Sequence, residues 1–152
     1  MQFDKSFVVN EVEISYKQSF VSHERPKITS SLNAYEILRQ SWNMNTIELR
    51  ETFKILLLKR DNRVLGIFEV STGGVSSTIV DPKLIFVTAL KTNASSIILA
   101  HNHPSGNLTP SEPDRVLTKK LKEGGKLLEI QVLDHLIITP NSFYSFQDEG
   151  LM

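Results

Sequence analysis

The hydrophobic and polar positions in the first third of the chain predict a strand followed by a helix. Residues Phe7 to Tyr16 alternate between apolar and polar side chains, which is typical of a strand or a hairpin arm. A polar connector, Val21 to Lys27, follows. Either Ser30 or Ser31 then caps a helix that runs to about Trp42. The apolar side of this helix is expected to hold Leu32, Tyr35, Ile37 and Leu38.

The middle of the chain predicts a β-hairpin. Thr52 to Lys59 and Arg63 to Val70 are rich in β-branched and apolar residues, and they flank the polar turn Arg60-Asp61-Asn62. Thr72-Gly73-Gly74 breaks the pattern. Val75 to Val80 then predicts another short strand.

The second half of the chain alternates between helices and strands. Asp81 and Pro82 are suited to begin a helix that runs to about Thr92. Ser96 to Ala100 is a continuous apolar run, which is typical of a strand buried within a sheet. The remaining predicted elements are a helix from about Glu112 to Glu123 ended by Gly124-Gly125, a strand region from Leu127 to Ile138, and an edge strand from Phe143 to Phe146.

This order of elements predicts the fold class and the place of a site. Strands interleaved with helices indicate a layered α/β (α+β) domain, with a mixed sheet flanked by helices. Ligands commonly bind at the carboxyl ends of strands in such sheets. The buried strand runs directly into His101, so this end of the sheet is the candidate site.

A set of metal-binding residue types follows the buried strand. His101 and His103 are two residues apart, so in extended backbone their side chains point the same way. Asp114 adds a carboxylate from the start of the next helix. Two imidazoles and a carboxylate form the ligand set of a catalytic zinc site that keeps its fourth position for water. We therefore expect one zinc ion per chain, although other divalent metals also accept this set.

Each part of the motif also has a purely structural interpretation. Ser111-x-x-Asp114 has the spacing of an N-terminal helix cap, and His103-Pro104-Ser105-Gly106 is typical of a turn. An isolated His-x-His pair is more often a surface feature than a metal site. Their combination between a buried strand and a helix favours the metal site. Capping and catalysis are compatible here, and the Ser111 hydroxyl is a candidate donor to an oxyanion.

The sequence resembles the JAMM metalloprotease-type motif of JAB/MPN domains, and most closely the RadC-like JAB domains. The resemblance covers about Glu48 to Leu151. We therefore divide the chain into an N-terminal strand and helix extension, residues 1–47, packed on a RadC-like JAB/MPN domain, residues 48–152. The matching segments are Ile97 to Gly106, Pro110-Ser111-x-x-Asp114, Leu133 to Ile138, Gly73-Gly74 with Thr78, and Asp81-Pro82-Lys83.

The resemblance implies a fold and a role for each site residue. The fold is the JAB1/MPN type, which is similar to cytidine deaminase. Glu51 matches the family's glutamate at the start of the first core strand. Glu48 competes with it by proximity, and Glu69 is a weaker candidate. The implied metal ligands are His101, His103 and Asp114, and the implied catalytic residues are Glu51 and Ser111.

The composition excludes several classes of function. None of the 152 residues is cysteine, which rules out disulfides, thiolate ligands and the Pro-Cys-x-x-Cys zinc site of a deaminase. Seventeen basic and seventeen acidic residues give a formal net charge of zero, so direct nucleic-acid binding is not supported. We find no signal peptide and no apolar run of bilayer length, and we expect a cytoplasmic protein without membrane association.

Two further histidines and one aspartate complete the candidate residues. Asp134 and His135 support either a hydrogen bond to a metal-binding histidine or a satisfied polar pair beside a buried strand. The core-like neighbours Leu133, Leu136 and Ile137 favour the polar pair. His23 is expected at the surface.

These observations lead to one main hypothesis and two alternatives. The main hypothesis is a zinc-dependent hydrolase, a peptidase or isopeptidase that uses metal-activated water on a peptide or protein substrate. One alternative is a RadC-type accessory protein of DNA repair or processing. The first fifty residues of this chain do not predict the helix-hairpin-helix segment of longer RadC proteins, which weakens this alternative. The other is a non-catalytic interaction scaffold.

Overall fold

The computed structural model describes residues 10–13, 15–17, 24–74 and 78–152. None of the helices in these ranges has the length and hydrophobicity of a membrane-spanning segment. Each helix and strand found here was predicted, in this order. They are α1 (Ser31–Ser41), β1 (Thr52–Leu58), β2 (Val64–Thr72), α2 (Pro82–Lys91), β3 (Ser96–Asn102), α3 (Glu112–Leu127), β4 (Gln131–Ile138) and β5 (Phe143–Ser145).

The strands form one mixed sheet in the order β2-β1-β3-β4-β5. Neighbouring strands are antiparallel except β3 and β4, which are parallel. A parallel pair needs a crossover connection, and α3 supplies it. The carboxyl end of β3 and the first turn of α3 therefore lie at the same edge of the sheet.

Both faces of the sheet are covered. Every residue of β1 and β3 is buried, which explains why each strand contains an uninterrupted apolar run, Ile55 to Leu58 and Ile97 to Ala100, rather than an alternating pattern. The helix α1 packs through Tyr35 and Leu38 on one face, and α2 and α3 pack through Ile85 and Leu121 on the other. This layering confirms the predicted fold class, a mixed sheet between helices.

The apolar side of α1 differs from the prediction. Ser30 caps the helix and accepts a hydrogen bond from the Asn33 backbone, as expected. The buried stripe runs through Ala34, Tyr35 and Leu38, however, and Leu32 is 52% exposed. At 3.6 residues per turn, Leu32 lies roughly 115° around the helix from the centre of that stripe. The prediction for Leu32 is therefore wrong.

The helix α3 does not end at Gly124-Gly125 but continues to Leu127. A Cβ atom at Gly125 would lie 2.3 Å from the Ile130 carbonyl oxygen. Gly125 thus allows the helix to pass close to the backbone that enters β4. The left-handed residue that follows the helix is Glu129, with φ of 57°.

Two predicted strands lie partly, and one predicted surface residue lies wholly, outside the described residues. Of the strand expected over Phe7 to Tyr16, the described part, residues 10–13 and 15–16, forms no strand. Of Val75 to Val80, residues 75–77 lie outside and 78–80 form no strand. His23 also lies outside the described residues.

We predict that Gly125→Ala and Gly124→Ala have different effects on stability. At Gly125 the added methyl group meets backbone, and we expect the free energy of unfolding to fall by about 1–3 kcal/mol or more. At Gly124 it meets the Phe86 ring at 3.0 Å, which can shift, and alanine favours the helix by up to about 1 kcal/mol. Urea unfolding of both variants measures the difference, and equal stabilities would contradict this role of Gly125.

Candidate metal centre

His101 and His103 lie at the carboxyl end of β3 with their rings converging. The extended backbone places both side chains on one side of the sheet, and the two Nε2 atoms are 2.9 Å apart. His101 is buried and His103 is half-buried. The Phe53 ring stacks on His101 from the neighbouring strand β1, with centroids 5.9 Å apart.

Asp114 reaches the same point from the first turn of α3. Its carboxylate oxygens lie 3.3 Å from His101 Nε2 and 3.4 Å from His103 Nε2. The same carboxylate accepts a hydrogen bond from the Ser111 backbone, and the Ser111 hydroxyl accepts one from the Asp114 backbone. Asp114 therefore belongs to a helix cap and to the site together, and the helix dipole favours its negative charge.

The acid–base properties of this cluster indicate an attraction for positive charge. Burial alone would raise the pKa of Asp114, but the close contacts of its carboxylate with the His101 and His103 rings hold that pKa well below its usual range. Burial alone would lower the pKa of His103, but its hydrogen bonds to Asp114 and to the Asn107 carbonyl raise it above its usual value.

The donor set fits a divalent cation. His103 Nδ1 lies 2.5 Å from the Asn107 carbonyl oxygen, which can only accept, so the ring donates there and its Nε2 faces the cluster. Two imidazole nitrogens and a carboxylate then meet within 3.4 Å. Glu51, His101 and His103 also present ligand atoms within 4.8 Å of one another. These overlapping sets form one His and carboxylate cluster able to hold a metal ion.

Glu51 enters the cluster from the residue just before β1. Its backbone pairs with Gly73 and Gly74, which follow β2, so the two glycines fix its position. One carboxylate oxygen lies 4.0 Å from His101 Nε2. Burial raises the pKa of Glu51 and the charge of Asp114 adds to this, while His101 and His103 oppose it. A carboxyl group with a raised pKa is suited to proton exchange near neutral pH.

A cavity of about 580 Å³ opens beside the cluster. Glu48, the competing carboxylate, lies on the cavity wall with Glu51. Glu69 does not line the cavity and accepts a hydrogen bond from the Thr72 hydroxyl instead. The lining residues are Glu48, Glu51, His103, Pro104, Ser105, Asn107, Thr109 and Ser111.

Asn102 supports the candidate site from within the sheet, and the sequence reasoning assigned it no role. It lies between the two histidines, points to the opposite side of the sheet and is fully buried. Its Oδ1 accepts from the Thr52 backbone at 2.7 Å, and its Nδ2 donates to the carbonyls of Ile47 and Arg50 at 2.7 and 2.8 Å. These bonds hold the backbone on both sides of Glu51. Its place between two same-side histidines in a buried strand was the available signal.

The prediction of a satisfied polar pair is correct for Asp134 and wrong for His135. The Asp134 carboxylate accepts hydrogen bonds from the Ser145 hydroxyl and from the backbones of His135 and Gln147. The His135 ring points to the other side of β4, and its Nε2 lies 2.8 Å from His101 Nδ1. Burial lowers the pKa of His135 well below its usual value, and the charge of His101 adds to this. Neighbouring strand residues face opposite ways, so two adjacent polar residues need not act together.

We predict that Asn102→Ala strongly destabilises the protein. It leaves one backbone N–H group and two carbonyls without their partner, and each buried unpaired group costs about 1–3 kcal/mol. We therefore expect a loss of at least about 3 kcal/mol in the free energy of unfolding, measured by urea titration. Asn45→Ala, at an exposed position, is the control and should stay within about 0.5 kcal/mol of the wild type. A small loss for Asn102→Ala would show that this segment is held by other contacts.

Comparison with known proteins agrees with this architecture. A UPF0758 protein of Flavobacterium johnsoniae is 45% identical over 126 residues, which is 82% of this chain and 53% of that protein. A UPF0758 protein of Alkaliphilus metalliredigens is 42% identical over 135 residues, 85% of this chain and 58% of that protein. The chain thus spans about half the length of the curated relatives it matches.

A family model described as RadC-like JAB domain matches residues 28–151. This range includes α1, and the division of the chain at residues 47 and 48 stays a prediction. The mixed five-stranded sheet with its helices agrees with the JAB/MPN fold expected from the sequence. The chain belongs to the RadC-like JAB domain family.

Proposed function

We propose that this domain is a zinc-dependent hydrolase that cleaves peptide or isopeptide bonds. One observation carries the proposal. The Nε2 atoms of His101 and His103 and the carboxylate of Asp114 meet within 3.4 Å, beside a cavity that also holds a buried glutamate.

His101, His103 and Asp114 are the proposed zinc ligands. Asp114 is favoured over Glu51 as the third ligand because its oxygens lie 3.3 and 3.4 Å from the two Nε2 atoms, while the ion-pair contact of Glu51 with His101 is 4.0 Å. A zinc ion held by these residues would lower the pKa of its bound water to about 7, which would make hydroxide available near neutral pH. Two histidines and one carboxylate leave a fourth position for that water.

Glu51 is the proposed general base and acid. Its carboxylate faces the histidines from the cavity wall, and burial raises its pKa. In this role it accepts a proton from the attacking water and donates it to the leaving nitrogen. Two sets of hydrogen bonds limit the movement of Glu51 during these transfers. Its backbone pairs with Gly73 and Gly74, and Asn102 holds the backbone of the residues on either side of it.

Ser111 is the proposed donor to the oxyanion. It lines the same cavity, at the start of α3. Its Oγ accepts a hydrogen bond from the Asp114 backbone, so its own proton is available to a developing negative oxygen. The cavity, about 580 Å³, suits a short segment of a peptide or protein substrate. The chain has a formal net charge of zero, so the proposal does not include direct nucleic-acid binding.

We predict that Glu51→Gln keeps the metal and loses the activity. Glutamine preserves the size of the side chain but cannot exchange a proton, and removing a general base costs about 10²–10⁴-fold in rate. The measurements are zinc content by elemental analysis and turnover of zinc-loaded protein on a panel of peptide and isopeptide substrates. The double variant His101→Ala, His103→Ala should lose both the bound zinc and the activity. Glu69→Gln, a carboxylate outside the cavity, is the matched control and should behave as the wild type.

The same experiment separates the competing functions. Full turnover by Glu51→Gln would contradict the role of Glu51. One zinc per chain without turnover of any substrate on the panel would favour a scaffold that retains its metal. No zinc in the wild type after reconstitution would contradict the metal site itself.

A further inference from the structure

A buried histidine and threonine lie behind the candidate metal centre without a role in the proposed reaction. His135, on β4, is completely buried, and its ring stacks on Phe146 with centroids 4.6 Å apart. Thr118, on α3, is also buried. The Thr118 hydroxyl contacts His135, and His135 contacts His101. The direction of the hydrogen bonds along this chain of groups decides what it does.

The Thr118 hydroxyl can only accept a hydrogen bond from His135, because its own proton is donated elsewhere. Its Oγ1 lies 2.7 Å from the Asp114 carbonyl oxygen and 2.6 Å from His135 Nδ1. A carbonyl oxygen only accepts, so the single hydroxyl proton is donated to Asp114. The contact with His135 is then a hydrogen bond only if His135 Nδ1 carries a proton and donates it to Thr118.

The position of the proton on His135 in turn determines the position of the proton on His101. Its two ring nitrogens contact Thr118 and His101, and the ring is packed between Phe53 and Phe146, an environment that favours the neutral form. A neutral ring protonated on Nδ1 has a lone pair on Nε2, which lies 2.8 Å from His101 Nδ1. His101 must then donate from Nδ1, and its own Nε2 carries a lone pair directed into the cluster.

We propose that Thr118 and His135 are positioning residues that hold His101 in the tautomer able to bind a metal through Nε2. The inference rests on the proposed function only in taking the cluster as a zinc site. The chain of hydrogen bonds runs from His101 through His135 and Thr118 to the backbone of Asp114, so it joins two candidate ligands from within the core. Hydrogen bonds of this kind fix both the orientation and the tautomer of a metal-binding histidine.

Thr118→Val tests the direction of the hydrogen bonds. Valine keeps the shape of threonine but removes the acceptor for His135 Nδ1. His135 then gains by carrying its proton on Nε2 and donating to His101 Nδ1, which moves the proton of His101 to Nε2, where it blocks the metal. We expect zinc affinity, measured by competition with a chromophoric chelator, to fall about 10–100-fold. Thr118→Ser keeps the hydroxyl and should bind zinc as the wild type does.

His135→Gln and His135→Phe form the second matched pair. The Gln Oε1 atom can accept from His101 Nδ1, so this variant should retain most of the zinc affinity. The Phe ring keeps the packing against Phe146 but offers no acceptor, and we expect a loss of about 10–100-fold. A purely structural role would reverse this order, because the aromatic variant preserves the core better. Equal affinities for folded Thr118→Val, His135→Phe and wild type would overturn the proposal.

A tautomer measurement on the metal-free wild type decides the question if a variant fails to fold. Long-range ¹H–¹⁵N correlation spectra distinguish rings protonated on Nδ1 from those protonated on Nε2. The expected result is Nδ1 protonation for both His135 and His101, with the His135 signals identified by their absence in His135→Gln. Protonation of His135 on Nε2 would overturn the proposal. These spectra need neither zinc nor turnover, so a failure of the proposed function leaves this result readable.

Discussion

The parallel pairing of β3 and β4 is the constraint on which the rest of the site depends. Because α3 must cross over between them, its first turn returns to the carboxyl end of β3. Asp114 on that turn thereby meets His101 and His103. The same pairing brings His135 on β4 behind His101. Three segments that are distant in the sequence supply one small cluster because of a single strand connection.

The cluster is electrostatically unusual because its groups all direct lone pairs to one point, instead of pairing hydrogen-bond donors with acceptors. Two Nε2 atoms and a carboxylate meet there, on side chains that are at most 16% exposed. The lowered pKa of Asp114 and the raised pKa of His103 share one cause, the close contact between the Asp114 carboxylate and the His103 imidazole. A proton and a metal ion therefore compete for the same place, and metal binding is expected to release protons.

Residues close together in the sequence were the predictable part of the site. Alternation along a strand placed His101 and His103 on one side, and the cap spacing placed Ser111 beside Asp114. The hairpin of β1 and β2 and the helix starts at Ser30 and Asp81 were predictable for the same local reason.

The roles of Asn102, His135 and Thr118 depend on strand pairing, which no local pattern determines. A register shift between Ile97 and Ile98 sets which residues of β4 lie beside β3, and a slip of one residue would turn His135 to the other face. The continuation of α3 past Gly125 was likewise not predictable, because Gly-Gly usually signals a helix end, whereas here Gly125 leaves room for the Ile130 carbonyl. The family resemblance, rather than local spacing, identified Glu51.

Crystals grown with zinc and measured at the zinc absorption edge test the central claim most directly. An anomalous difference map locates the metal without assuming its ligands. The predicted result is one peak per chain, about 2.0–2.2 Å from the Nε2 atoms of His101 and His103 and from an oxygen of Asp114. The absence of a peak at this cluster, or a peak held by Glu51 in place of Asp114, would contradict it.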